Sequence, residues 1–392
     1  MGESDAHGHG LDLDRVREVF DSSTDFTIGL EEEFLLLDPE SLELVHRFEE
    51  LYALCSDDDL LADSAAGELI DTEIEIRSGR GEDFGQAVER QQVSRDGLFA
   101  LADRSGVALG SVGTHPWADY RDQQIIDTPH YRRLQHDLGW VAQRNNTWSM
   151  HVHVGIRGAD RAVAVSDRMR ELLPILLAVS ANSPFLDGRD TGLHSVRTEI
   201  FTRSFPRCGV HQPFGDWETY AGFVDLLHRT GTIVEATQLW WSVRPHHHFG
   251  TVEVRICDAQ TDGAESFALA GFAAACVGQA ALDYDGLGGR NPELRLDREI
   301  EENFWRAIRY GMEGEMIDFD SGTVAPTRQI LEDTLKWCAP AAEEMGITVD
   351  LPESNGAQRA RESLEQGESL EQILRSSVER TAGTFPTRGG SE

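Results

Sequence analysis

Ionisable side chains recur at every second position in four short segments of the sequence. The segments are residues 28–34, 73–77, 151–156 and 251–257. In each, aliphatic residues alternate with ionisable ones, which is the pattern of a β-strand with one apolar and one polar face. The polar faces carry Glu31, Glu33, Glu73, Glu75, Arg77, His151, His153, Glu253 and Arg255. If these strands pair in one sheet, their polar faces line a common cleft, which is the candidate active site.

An oxygen-rich set of side chains on these faces would suit a hard divalent cation. The predicted metal ligands are Glu31, Glu33, Glu75, His153 and Glu253. Carboxylates favour Mg²⁺ or Mn²⁺ over zinc, which prefers histidine and cysteine. So many carboxylates on one face would also repel each other unless cations lay between them. Glu32 is left out, because alternation places it on the face of Leu30 and Phe34. A solvated strand face is the alternative for any one pair alone.

Other catalytic devices lack a candidate in this chain. There is no GxxxxGK[ST] phosphate loop, and the single lysine, Lys336, lies between Leu335 and Trp337. Any nucleotide phosphates must therefore be held by metal ions and arginines. No GxSxG motif occurs, and none of the five cysteines has a persuasive partner base, so covalent catalysis is not indicated.

Composition limits the partners and the compartment. The 392 residues carry a formal net charge of −34, which disfavours nucleic acid as a partner. An acidic, lysine-poor composition resembles that of proteins from extreme halophiles, where molar salt screens self-repulsion. The N-terminus lacks an apolar signal segment, and the longest apolar run, residues 267–282, falls short of a membrane span. We therefore expect a cytoplasmic protein without a membrane partner, and homo-oligomerisation is left open.

The chain divides into three parts by pattern. Residues 1–23 are expected to be a disordered tail followed by a short amphipathic helix, 24–285 a catalytic α+β domain, and 286–392 a helical part packed on the same domain with a frayed end. Helices are predicted at 84–104, 131–145, 160–182, 216–230, 264–283, 299–310, 327–345 and 357–378. Residues 184–215 are predicted to be irregular, and Pro174 is expected to kink its helix.

Four motifs carry a family resemblance. They are residues 29–34 (GLEEEF), 113–116 (GTHP), 151–155 (HVHVG) and 244–255, which begins RP and ends HFGTVEVR. In this order they resemble the carboxylate-amine ligase family, the second type of glutamate–cysteine ligase. The resemblance covers about residues 24–345. It implies a glutamine-synthetase-like fold: a curved antiparallel β-sheet, helices packed on one face, and metal-bound ATP on the open face.

The resemblance also implies a reaction and residue roles. It implies ATP-dependent ligation of the γ-carboxylate of glutamate to the amine of cysteine through γ-glutamyl phosphate, with Mg²⁺ or Mn²⁺ as cofactor. The family metal positions match the five predicted ligands, Arg255 would contact transferring phosphate, and Arg197 and Arg244 would bind substrate. In halophilic archaea it implies γ-glutamylcysteine as the main small thiol.

Three rival functions are left open by the residues. A carboxylate-amine ligase could take another amine as acceptor. A metal-dependent amidohydrolase could use the same glutamates and histidines around an activated water, without ATP and with zinc as the expected metal. A noncatalytic metal-binding or scaffold protein would show no turnover and would tolerate the loss of Arg255.

Overall fold

The computed structural model describes residues 11–383. Its strands are β1 (Ile28–Leu37), β2 (Ala65–Ala66), β3 (Glu73–Arg77), β4 (Ala108–Gly110), β5 (Met150–Gly155), β6 (Phe185–Leu186), β7 (Arg189–Asp190), β8 (Val243–His246), β9 (Thr251–Val254), β10 (Glu315–Asp318) and β11 (Thr323–Pro326). Its α-helices are α1 (Leu13–Asp21), α2 (Phe48–Ser56), α3 (Phe84–Arg104), α4 (Pro129–Leu138), α5 (Ala159–Met169), α6 (Leu173–Ser180), α7 (Val196–Ser204), α8 (Trp217–Arg229), α9 (Gly263–Gly286), α10 (Asp297–Tyr310), α11 (Thr327–Glu344), α12 (Gly356–Glu365) and α13 (Leu370–Gly383). Short 3₁₀ helices lie at Tyr120–Asp122, Gly139–Asn145, Arg170–Leu172, Ala236–Gln238 and Gly311–Glu313.

The main sheet has the strand order β2-β3-β1-β5-β9-β8, and β4 also pairs with β1. All of its neighbouring strands are antiparallel. The four strands predicted to carry the site are therefore adjacent. Their register places Glu33 beside Glu75, Glu31 beside His151, and His153 beside Glu253. Because side chains on paired positions leave the same face, these residues meet on one side of the sheet.

Helices cover the opposite side of the sheet. Aliphatic residues of β1, β5 and β9 pack with α5 and α9 in the largest hydrophobic cluster, while those of β3 pack with α2 and α3 in a second one. Glu32 points into this helical layer, as alternation predicted, and is buried there. The arrangement confirms the predicted α+β fold with helices on one face.

The cleft side is open over only part of β1. Leu35 and Leu37 share the face of Glu31 and Glu33, yet both are fully buried. They pack in a third cluster with Trp148 and with Leu374 and Val378 of α13. The last described helix thus closes one end of the cleft face and leaves the carboxylate end accessible.

Three of the sequence predictions about elements differ from the structure. Residues 184–215 are not wholly irregular, because they contain the β6–β7 hairpin and helix α7, whose N-cap Ser195 accepts a hydrogen bond from the amide of Thr198. The predicted helix 357–378 is two helices, and the break between them contains Gly367 at φ +96°, a conformation that a continuing helix does not use. The predicted helix 160–182 is interrupted by a 3₁₀ turn ending just before α6, near the anticipated Pro174.

Helix α9 lies at the centre of the molecule. Among residues 11–383 it is the helix long and apolar enough to cross a membrane by length and composition, and 78% of its most apolar window is buried inside the fold. Its neighbours include α5, α11 and β5. Residues of α10 and α11 belong to the same hydrophobic cluster, so the C-terminal helices share a core with the sheet. The expected N-terminal tail at 1–10 and frayed end after 383 lie outside the described residues.

Candidate active site

The polar face of the sheet opens into a cavity of about 370 Å³. Its walls come from the strands and from segments that approach over the sheet, namely α4, α7 and residues 235–240. A second cavity of about 400 Å³ adjoins it beyond Gly29 and His153. His248 and Phe249, at the tip of the β8–β9 hairpin, border both cavities. The site is thus a cleft with two compartments that share Glu31 and Arg77.

A three-residue cluster on the floor of the cleft has the geometry of a cation site. Ligand atoms of Glu31, His153 and Glu253 all lie within 4.8 Å of one another. Nε2 of His153 is 3.3 Å from Oε1 of Glu31 and 4.0 Å from Oε1 of Glu253. Its Nδ1 forms a hydrogen bond of 3.0 Å with the hydroxyl of Thr251, whereas Nε2 is buried and has no hydrogen-bond partner among residues 11–383. If Nδ1 donates to Thr251, Nε2 of this imidazole carries the lone pair that a metal ion would bind.

A second cluster shares Glu31 with the first. Ligand atoms of Glu31, Glu75 and His151 lie within 4.8 Å of one another. His151 forms hydrogen bonds through Nδ1 with Oε2 of Glu31, at 2.8 Å, and through Nε2 with the hydroxyl of Ser149, at 2.9 Å. Both of its ring nitrogens are therefore engaged by the protein, whereas Nε2 of His153 has no hydrogen-bond partner among the described residues.

Glu33 lies beside these clusters. The hydroxyl and the backbone amide of Ser149 both donate to its carboxylate. Burial, reinforced by the neighbouring charge of Glu68, raises the pKa of Glu33 to about 7. Burial and the surrounding carboxylates also raise the pKa values of Glu73 and Glu75 well above their ordinary range.

The electrostatics favour a bound cation. Buried carboxylates with raised pKa values are groups whose negative charges lack sufficient compensation from the protein. One oxygen of Glu73 and one of Glu75 are buried without a hydrogen-bond partner among the described residues. Burial would also raise the pKa of Glu31, but His153 and His151 outweigh it and hold that pKa well below its usual value. The residues therefore fit a divalent cation with mainly oxygen ligands, as Mg²⁺ and Mn²⁺ prefer.

Two arginines donate hydrogen bonds to Glu253. Arg244 donates to both of its oxygens, at 2.6 and 3.2 Å, and uses Nη1 for the carbonyls of Thr237 and Leu239. Nη1 of Arg255 donates to Oε1 of Glu253. Burial would raise the pKa of Glu253, yet the two guanidinium groups lower it well below its ordinary value. Arg244, which was predicted to bind substrate, lines the cavity, but these contacts favour support of Glu253 over direct binding of substrate.

Arg197 also lines the cavity and is fixed by the segment that follows β9. Its Nη1 donates to the carbonyl of Ile256 at 3.0 Å, and its Nη2 to the carbonyl of Arg255 at 3.2 Å. Asp258, which is fully buried, accepts from the hydroxyls of Ser183 and Ser195 and lies 3.5 Å from Nη1 of Arg197. Arg197 thereby keeps a buried positive charge close enough to Glu33 to act on its pKa.

The structure brings together all of the residues that the sequence predicted for the site. It also adds Glu68, which lines the main cavity, and Ser149, which holds Glu33. Glu68 lies between short elements and has no alternating neighbours, so no strand pattern could identify it. His151 was visible on the predicted polar face, but only the structure distinguishes its bonded nitrogens from the unpartnered Nε2 of His153.

Solved structures show which fold this is. A bifunctional glutathione synthetase from Pasteurella multocida aligns with a TM-score of 0.64 at 12% identity over 95% of this chain, which spans 54% of that longer protein. A glutamate–cysteine ligase from Francisella tularensis, solved in complex with AMP, aligns with a TM-score of 0.64 at 11% identity over 92% of this chain and 89% of its own. At such low identity these likenesses establish the fold, which is that of the glutamine-synthetase-like ligases.

Sequence relatives are closer. A protein of Rubrobacter xylanophilus, provisionally named glutamate–cysteine ligase 2-2, is 36% identical over 92% of both chains. A provisionally named glutamate–cysteine ligase 2 of Sorangium cellulosum is 39% identical over 89% of this chain and 91% of its own. Residues 27–386 match glutamate-cysteine ligase family 2. The resemblance read from the motifs is therefore confirmed: the chain belongs to glutamate-cysteine ligase family 2 and is a ligase.

Proposed function

We propose that the protein joins the γ-carboxylate of L-glutamate to the amine of L-cysteine at the expense of ATP, giving γ-glutamylcysteine, ADP and phosphate. Family membership supports ATP-dependent γ-glutamyl ligation in general. The observation that carries the site assignment is the Glu31–His153–Glu253 cluster, with its unpartnered imidazole nitrogen, at the junction of two cavities.

The two cavities suit two substrates. The second cavity has more apolar surface, and Gly29 contributes no side chain to its wall, so it suits the adenosine of ATP. The triphosphate would then extend towards Glu31 and Glu253, while glutamate would occupy the main cavity near Glu33 and Arg197. This arrangement aligns the γ-carboxylate with the γ-phosphorus, which supplies much of the catalysis in phosphoryl transfer.

The reaction needs two displacements and no protein nucleophile. A γ-carboxylate oxygen of glutamate attacks the γ-phosphorus, the bond to the bridging oxygen breaks, and ADP leaves. The amine of cysteine then attacks the acyl carbon of γ-glutamyl phosphate, and phosphate leaves as the amide forms. Divalent ions bound by Glu31, Glu33, Glu75, His153 and Glu253 would neutralise phosphate charge, and Arg255 would donate hydrogen bonds to the transferring group.

Protons also have to be accounted for. The attacking amine must be neutral, so cysteine gives up one ammonium proton before attack and the tetrahedral nitrogen gives up another as the amide forms. The departing phosphate takes up one of these protons, and water takes up the other.

The decisive experiment measures phosphate release and the ligated product together. The protein is assayed in high KCl with ATP, Mg²⁺ and glutamate, and with cysteine, alanine, glycine or a simple amine as acceptor. We expect cysteine to give the highest rate and a stoichiometric dipeptide. Equal rates for alanine and cysteine would reduce the proposal to a carboxylate-amine ligase of broader specificity. Amide hydrolysis without ATP would instead support the amidohydrolase alternative.

A further inference from the structure

We propose that Glu32 and Arg95, buried on the helix side of the sheet, form a positioning pair that fixes the Glu31 and Glu33 carboxylates on the cleft side. This inference rests on the proposed function, because it treats those two carboxylates as ligands of a divalent ion. Glu32 and Arg95 do not touch the cleft themselves. They act through the backbone of β1.

Glu32 is fully engaged by two helices. Its Oε1 accepts from Nη1 of Arg95 at 2.6 Å and from the hydroxyl of Ser266 at 2.9 Å. Its Oε2 accepts from Nε2 of Gln91 at 3.1 Å. Gln91 and Arg95 belong to α3, and Ser266 belongs to α9. One carboxylate therefore fixes the position of β1 relative to both helices.

Arg95 extends the connection to a third helix. Its Nη2 donates to the carbonyl of Thr381 in α13 at 3.2 Å. Its guanidinium also lies over the rings of Phe34 and Phe99, at 5.1 and 5.2 Å from their centroids. The side chains of Glu32 and Arg95 are only 4% and 1% exposed, so water cannot take over these contacts.

Through the backbone of β1, these contacts of Glu32 set the positions of the cleft carboxylates. Glu31 and Glu33 flank Glu32 and leave the opposite face, so any shift or tilt of residue 32 moves both carboxylates. Ile76 of β3 and Met150 of β5 pair with Glu32 across the sheet, so both neighbouring strands are aligned with β1 at this residue. Gln91 also donates to the carbonyl of Ile76 at 3.3 Å, which ties β3 to the same network. Metal ligands need placement to within about half an ångström, so small shifts matter.

Stability alone does not account for such a pair. Removing two charges from water is costly, and well-packed apolar residues of similar volume often stabilise a protein as well or better. Here the pair lies directly behind two residues whose spacing the proposed chemistry needs. Groups that hold metal ligands in place typically change metal affinity about 10- to 100-fold when they are lost.

The test replaces the pair with apolar residues of similar size. In Glu32→Leu/Arg95→Met no unpaired charge is left behind, so we expect cooperative unfolding at a midpoint close to that of the wild type. Mn²⁺ affinity, measured by titration of the ATP-free protein with electron paramagnetic resonance of the free ion, is expected to weaken at least about 10-fold. The matched control is Arg168→Met/Glu171→Leu, which removes an ion pair outside the cleft and should leave Mn²⁺ affinity unchanged.

The outcomes separate the inference from the proposed function. Unchanged Mn²⁺ affinity in the double variant would overturn the positioning role. If that variant does not fold, Arg95→Lys, which keeps the charge but loses the planar fork, decides by the same titration: weaker Mn²⁺ binding supports the role and wild-type binding overturns it. Wild-type protein that binds Mn²⁺ without ligating glutamate would defeat the proposed function alone. Wild-type protein that binds no Mn²⁺ would overturn both.

Discussion

At the scale of single residues, the cleft combines candidate metal-ligand atoms that have no hydrogen-bond partner among residues 11–383 with arginines that are already paired. His153 presents a buried nitrogen towards Glu31 and Glu253, whereas Arg244 has protein partners for most of its donors. This contrast separates residues that are available to substrate or metal from residues that hold others in place. Mutations at the two kinds of residue should therefore have different effects.

Glu31→Gln and Glu33→Gln should each abolish ligation while leaving the fold intact. Each change removes a negative charge that would neutralise a divalent cation but preserves the size of the side chain. Steady-state rates at increasing Mg²⁺ and the thermal unfolding midpoint provide the measurement. If both variants kept near wild-type turnover at saturating Mg²⁺, the metal assignment would be wrong.

Arg255→Lys should lower kcat by about 10²-fold or more, the typical value of one oriented donor at developing charge. Lysine keeps the charge near Glu253 but cannot supply the planar fork that aligns a phosphate. The alternative role is simple pairing with Glu253, under which lysine would substitute with little kinetic loss. The exposed Arg203→Lys on α7 is the control, and both variants need kcat and unfolding midpoints.

His211→Asn should remove part of the acid sensitivity of the fold. Burial lowers the pKa of His211 to about 3, while the unfolded chain binds its proton near the ordinary value of about 6.5. The unfolded state therefore gains a proton first as pH falls, and stability is lost below about 6.5. As the pH falls from 7 to 5, His211 should lower the unfolding free energy of the wild type by about 2 kcal/mol. The asparagine variant should not show this loss.

Urea unfolding of both proteins at pH 7 and pH 5 measures this difference. Asparagine can keep the hydrogen bond that Nδ1 of His211 makes to the carbonyl of Gln212. Burial raises the pKa of the neighbouring Asp167 to about 6, so its contribution changes with the opposite sign. Because Asp167 is present in both proteins, the comparison isolates His211. An identical pH dependence in the two would contradict the expectation.

At the scale of elements, alternation predicted the strands well because it is a local property. Glu31, Glu33, His153 and Glu253 lie on one face as soon as their segments are extended. What the sequence could not provide was the register between strands, which pairs Arg244 with Glu253 across the β8–β9 hairpin. Helix α7 was missed because it lacks an amphipathic repeat and begins only through the cap at Ser195.

The contact between α9 and α11 depends on small residues. A Cβ added at Gly278 would lie 2.7 Å from the sulfur of Met345 and 3.3 Å from Cβ of Ala341. Gly278→Leu should therefore destabilise the protein by about 1–3 kcal/mol through overpacking, although leucine is the better helix former. Gly286→Leu at the end of the same helix, where nothing lies within 4 Å, is the matched control. Equal urea midpoints for the two variants would show that α11 can move aside.

At the scale of the whole molecule, the charge of −34 is the dominant property. Much of it lies on exposed side chains, where ions in solution can screen repulsion. We expect the unfolding midpoint and the ligase activity to rise towards molar KCl or NaCl, since screening relieves the acidic surface. Thermal unfolding across a salt series, with choline chloride for comparison, measures this. A midpoint as high in dilute buffer would remove the halophilic interpretation.

The position of α13 has a consequence for how the enzyme is made. Strand β1 leaves the ribosome well before α13, but Leu35 and Leu37 are covered by Leu374 and Val378, which are synthesised more than three hundred residues later. The hydrogen bond from Arg95 to the carbonyl of Thr381 also cannot form before α13 has been synthesised. Until that helix emerges, a growing chain would expose an apolar edge next to its acidic cleft. Messages truncated just before α13 should therefore yield aggregating, chaperone-bound chains and no partially active enzyme.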